Sequence, residues 1–140
     1  MITTADVKKI SGSFLKDARV LLAGKRYDGA IYLCGYSVEL SLKARICRAL
    51  KWQGYPESRK EFEGLQSFRT HDLDLLLRLG GREQVIKTSY FAEWSAVAQW
   101  NPESRYQPVG KATAADAQLM IQAAELLLRK YEGHRRAPTN

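Results

Sequence analysis

Residues 35–46 read GYSVELSLKARI, and the period of this stretch decides what the rest of the chain must build around it. From Val38 to Ile46 apolar and polar residues alternate one for one, the pattern of a half-buried strand. The residue types are mostly Leu, Ala, Glu, Lys and Arg, which favour helix. Widening the window to Tyr27–Trp52 resolves the conflict. At about 100° per residue, Tyr27, Ile31, Val38, Leu42, Ile46 and Ala49 fall on one side, with Leu33, Tyr36, Leu40, Ala44 and Cys47 roughly opposite. A helix with two apolar sides mimics alternation. It has to be gripped twice, either at the centre of a bundle or between its own bundle and a second subunit. Glu39 and Lys43, at i and i+4, then share a seam between the two sides, where a helix-surface ion pair contributes a few tenths of a kcal/mol.

The chain supplies enough material for one such bundle. Its 140 residues make one domain that buries about two thirds of the surface it exposes when unfolded. With 45% hydrophobic and 26% charged residues the composition is that of an ordinary globular protein. The apolar run Ala30–Tyr36 is far too short to cross a bilayer. The opening MITTADVKKI has a charged pair and no signal-length apolar core, so no membrane and a cytoplasmic location are expected. Cys34 and Cys47 lie on the same expected helix, about 20 Å apart, and read as small core residues that cannot bond to each other.

Five helices are expected, in a compact up-and-down all-α bundle with no strand. The first spans about Ala5–Ala23, started by Thr3 and Asp6, with Val7, Ile10, Phe14, Ala18, Leu21 and Leu22 as its stripe. The second is Tyr27–Trp52. Gly54, Pro56 and Gly64 break the polar stretch 53–69, around a short helix near Glu57–Phe62. THDLDLLLRLGG opens a third helix with Thr70 as N-cap and stops it at Gly80 and Gly81. A fourth runs from about Arg82 to Trp100, closed by Asn101 and Pro102. Thr113 and Asp116 open a fifth, with Ala117, Met120, Ala124, Leu127 and Leu128 inside and Gly133 as its stop. The division is thus a helical domain over 1–132 and a basic disordered tail over 133–140.

Several chemistries have no signal. Two histidines, His71 and His134, and two helical cysteines form no metal-ligand cluster of usual spacing, so no metal or other cofactor is expected. No phosphate-cradling Gly-rich loop and no nucleophile elbow is present. Twenty-two basic against fifteen acidic residues leave +7, which favours an anionic partner yet also suits a solvated surface. The excess gathers at Lys43, Arg45 and Arg48 and again from Arg129 to Arg136. Arg105 and Tyr106 offer a fork of donors beside an aromatic face, suited to a phosphate or a stacked base, and equally to tying a loop to a helix end.

Taken in order, YDGAIYLCGYSVELSLKARI, THDLDLLLRL and ESRYQP before a final amphipathic helix resemble the HEPN domain family over about Ala5–Tyr131. The resemblance rests on Glu39 and Lys43 in helix two, Thr70–Leu73 at the start of the next helix, and Arg105-Tyr106 after helix four. It implies a compact all-α fold of four or five helices, typically dimeric and often encoded beside a small nucleotidyltransferase in toxin–antitoxin and defence systems. Many members are metal-independent ribonucleases with an Arg, four to six residues, then a His. Here Arg105 is followed by YQPVGKA with no His, which argues against ribonuclease activity. Arg129 and His134 satisfy the spacing at the end of the last helix, where no packed cleft is expected to hold them. The resemblance therefore implies the non-nuclease branch: a homodimer binding a nucleotide or RNA phosphate through Lys43, His71, Arg105 and Tyr106, working with a protein partner. The alternatives are a ribonuclease toxin and a purely structural interaction subunit.

Overall fold

The computed structural model describes residues 1–103 and 108–131. Within them lie six α-helices and one pair of two-residue strands: β1 Ile2–Thr3, α1 Thr4–Ala23, α2 Tyr27–Leu50, β2 Gly54–Tyr55, α3 Leu73–Leu79, α4 Glu83–Ser89, α5 Phe91–Ala98 and α6 Ala114–Tyr131. The fold is a mainly helical bundle, as expected. The tail 133–140 lies outside the described residues.

Helical period wins in residues 35–46. Val38, Leu42 and Ile46 are buried on one side of α2, with Ala44 and Cys47 buried on the other, and the helix packs against α1, α3 and α6 of its own chain. The bundle alone therefore grips both sides. Two buried serines fix the register of α1 against α2: the Ser11 hydroxyl donates to the Ser37 carbonyl, and the Ser37 hydroxyl donates back to the Ser11 carbonyl, each at 2.7 Å. Ser11 belongs to the buried row Val7, Ser11, Leu15 and Ala18, so the stripe is turned from the expected one and leaves Ile10 exposed. Cys34 and Cys47 are free, buried thiols.

The expectation of no strand is corrected on a small scale. After α2 the chain reverses through Lys51, in the left-handed region at φ 58°, and Gly54–Tyr55 pairs antiparallel with Ile2–Thr3. A Cβ on Gly54 would stand 2.3 Å from the Ile2 carbonyl oxygen, so this approach requires glycine. No helix forms at Glu57–Phe62. Turns occupy the segment, closed by Glu61, whose carboxylate accepts the Glu57 and Ser58 N–H groups. Phe62 nevertheless reaches the core.

The other helices differ from expectation at their ends. Asp72, not Thr70, caps α3: its carboxylate accepts the Asp74 and Leu75 N–H groups, while Thr70 Oγ1 accepts the Asp72 N–H one step earlier. The expected fourth helix is two, parted at Tyr90, where φ −133° and ψ 39° leave the helical region. Thr88, Ser89, Tyr90 and Phe91 are all poor helix formers in succession. Thr113 and Asp116 form the expected reciprocal box at the start of α6. Just ahead of it, the Asp28 carboxylate at the start of α2 accepts the Gly110 and Ala112 N–H groups, which holds it below its usual range.

Candidate binding site around Glu39 and His71

Glu39 stands on α2 with 2% of its surface exposed. This corrects the reading of Glu39 and Lys43 as a helix-surface pair. A buried carboxylate must be compensated, and two groups do so. Lys43, one turn on, donates its Nζ to Glu39 Oε2 at 2.8 Å, and His71, arriving on the arm that precedes α3, places Nδ1 2.9 Å and 3.0 Å from the two carboxylate oxygens. A carboxylate only accepts, so Nδ1 carries the hydrogen and Nε2 is left facing outward as an acceptor when the ring is neutral. The imidazole is 57% exposed. Its acidic partner is thus Glu39 rather than the neighbouring aspartates, which are used elsewhere: Asp72 caps α3 and Asp74 pairs with Lys87 at 2.7 Å.

Two cavities meet at His71. The first, about 480 Å³, lies between α2, the β1–β2 clasp and the 56–70 arm, with Lys43 and Arg69 as its cations, His71 in its lining and Leu40, Tyr55 and Phe62 among its apolar residues. Lys43 Nζ sits 5.2 Å from the Tyr55 ring centre and Arg69 sits 5.8 Å from that of Phe62, each held by the negative face of a ring. The Tyr55 hydroxyl donates to the Phe68 carbonyl at 2.6 Å, tying the arm down, and burial pushes its acidity well below that of free tyrosine. The second cavity, about 450 Å³, is lined by His71, Asp72, Gln99, Trp100, Asn101 and Glu103 with other residues at the ends of α3 and α5. Trp100 stacks directly on Gly35 of α2, where a Cβ would meet the indole at 2.1 Å. Tyr36 lies between two of these residues, with its ring edge-on to Trp100 at 4.9 Å and to His71 at 6.5 Å.

Of the four expected ligand-binding residues, Lys43 and His71 converge on one carboxylate. Arg105 and Tyr106 lie outside the described residues, as does His134. Arg69, Tyr55 and Phe62 were not anticipated; only the adjacency of Arg69 to Thr70-His71 hinted at any of them. The basic residues of α2 divide in role. Lys43 faces the cavity, whereas Arg45 donates to the Gly80 carbonyl at the end of α3, as Arg82 does to Lys130 at the end of α6. Both complement a helix C-terminus. Among the described residues no group of His, Cys, Asp and Glu could hold a metal ion, and no helix is long and apolar enough to cross a membrane.

Residues 4–57 match the family model described as the HEPN domain. That match supports recognition of the chain as HEPN-like. It covers α1, α2 and β2, and so includes Glu39, Lys43 and Tyr55 of the site described above. His71 and the rest of the second cavity fall beyond it. Comparison with curated proteins and with solved structures found no match.

Proposed function

We propose that this HEPN-like helical module binds the phosphate of a nucleotide or RNA at the Glu39-centred site, as a homodimer that works with a protein partner in a toxin–antitoxin or defence system. One observation carries the ligand half: Lys43, Arg69 and His71 share a cavity of about 480 Å³ with the rings of Tyr55 and Phe62. Donors and apolar faces converging in a cleft of that size are the usual make-up of a small-ligand site. Arg69 is the clamp, its exposed guanidinium resting on the Phe62 ring beside the cavity. Lys43 supplies a point charge, fixed by Glu39. Arg105 and Tyr106, which follow Glu103 in the sequence and lie outside the described residues, complete the proposed ligand set on the strength of their chemistry alone, a fork of donors and an aromatic face. Isothermal titration against ATP, GTP and short RNA tests this. Heat that disappears with Arg69→Ala and His71→Ala supports it, and no heat with any probe removes it. Sedimentation tests the homodimer, and a nucleotidyltransferase encoded beside the gene would support the partner.

A ribonuclease is the second reading, favoured by the carboxylate behind His71 Nδ1. That geometry orients Nε2 as a general base. Nε2 would take the proton of a ribose 2′-hydroxyl, the 2′-oxygen would bond to phosphorus, and the P–O5′ bond would break. The products are a 2′,3′-cyclic phosphate and a 5′-hydroxyl, which recovers the proton. Incubation with structured RNA decides: cleavage lost with His71→Ala but kept with His134→Ala supports this reading, and intact RNA ends it.

A further inference from the structure

Three arginines meet at the far end of α3 from His71. Arg45 and Arg48 stand one turn apart near the end of α2. The stem of Arg45 lies against Gly80, where a Cβ would come 3.0 Å from Arg45 Cγ, and its Nε donates to the Gly80 carbonyl at 3.1 Å. Two residues on, Arg82 opens α4 and reaches across to α6, donating Nη2 to the Lys130 carbonyl at 2.9 Å. All three side chains are half-buried. The seven residues of α3 set this corner about 10 Å from the start of the helix, so it is separate from the Glu39 site.

A guanidinium is always protonated and carries five N–H donors. The Gly80 and Lys130 carbonyls take one donor each, and a helix end offers only about half an elementary charge. Arg82 Nε is buried and has no acceptor among the described residues, a state in which folded proteins rarely leave a donor. Glu83, the carboxylate next to Arg82 in sequence, pairs with Lys87, as does Asp74 of α3. The positive charges also press on one another. Burial first, then the charges of Arg82 and Arg48, hold the Arg45 guanidinium below its usual range. An oxyanion answers such a group. A carboxylate is used up by a single fork, whereas the tetrahedral oxygens of a phosphate accept from several at once.

We propose that this corner is a further anion site, taking the phosphoryl group of a small dianion, with Arg82 Nε as its buried donor and Arg45 and Arg48 supplying the others. Inorganic phosphate and a small phosphate monoester share that chemistry. The site stands whether or not the Glu39 cavity binds phosphate.

The test follows the arginine Nε–H signals of the full chain by NMR, assigned through the backbone. Inorganic phosphate and glycerol phosphate are titrated separately at constant ionic strength, with sodium chloride as the control for screening. The Arg82 signal is expected to shift and saturate with phosphate and to stay in place with chloride. Its midpoint should be the same in Arg69→Ala, which removes the clamp of the Glu39 site. Arg48→Gln, with its fold checked by circular dichroism, should weaken binding at least fivefold. A response to glycerol phosphate as well supports the site with an ester as its ligand, and a response to phosphate alone supports it with the free ion. An Arg82 signal that ignores both phosphates, or moves equally with chloride, would overturn the site. So would a midpoint that Arg48→Gln leaves unchanged. A midpoint moved by Arg69→Ala and not by Arg48→Gln would overturn it in favour of the Glu39 cavity.

Discussion

Replacing Glu39 by alanine is the sharpest probe of the buried network. Lys43 has a side chain only 15% exposed, so removing the carboxylate leaves most of an ammonium group out of water with no counter-charge. Breaking a buried pair from one side typically costs 3–5 kcal/mol. The half-exposed His71 can rehydrate and Lys43 is not fully enclosed, so the lower end applies, about 3 kcal/mol. For a chain of this length that is a fall of about 10 °C in Tm. The loss should come from the stranded charge rather than from lost volume. Glu39→Leu alone is therefore expected to cost about as much, whereas Glu39→Leu with Lys43→Met, which replaces the pair by apolar groups of similar size, should recover most of it. Urea denaturation followed by circular dichroism at pH 7 gives all three values, provided the m-value is unchanged. Glu39→Ala within about 0.5 kcal/mol of the parent, or a double variant no better than Glu39→Leu, would refute the reasoning.

Gly35→Ala should cost about 1–3 kcal/mol by driving its methyl into the Trp100 indole; in a Trp100→Ala background the same change should cost almost nothing, and denaturation of the four variants checks the cycle. Burial pushes the Cys34 thiol up to about 12 and that of Cys47 upward as well, so neither should react with a thiol reagent at pH 8 in the folded state, while both react in guanidinium chloride. The Asp28 carboxylate is depressed by the Gly110 and Ala112 N–H groups, so its contribution is present above the unfolded value near 4 and is lost as pH falls through the lower folded value. Amide exchange at Gly110 and Ala112, corrected for intrinsic rate, should thus be slow at neutral pH, quicken only in acid, and be fast at every pH in Asp28→Ala.

The helices that carry the core were legible because their signals are periodic and long. α1, α2 and α6 each span several turns, and the caps at Thr3 and Thr113 are local chemistry. The clasp was not legible, since two-residue strands are too short for any period, and the contact between Gly54 and Ile2 joins residues far apart in the chain. The break at Tyr90 was masked by an apolar stripe that continues across it. At α3 both Thr70 and Asp72 are good caps, and the choice depended on which one the incoming arm presented. The candidate site was half visible. Lys43 and His71 could be named from their motifs, but Glu39 looked like a surface partner because an i,i+4 pair reads the same whether water or protein lies over it. Arg69, Tyr55 and Phe62 enter only through the tertiary path of the 53–69 segment.

The reciprocal bonds between Ser11 and Ser37 bear on how a ligand could reshape the molecule. Sliding one of these helices along the other by even a single residue would break both bonds at once and strand hydroxyls and carbonyls in a dry interior, so this half behaves as a fixed wall. Whatever adjustment accompanies occupancy must come from the opposite bank, the turn-built segment from Pro56 to Asp72 that carries Arg69 and His71. One bank is anvil and the other is hinge, which locates in advance where hydrogen exchange should respond to RNA and where it should stay silent.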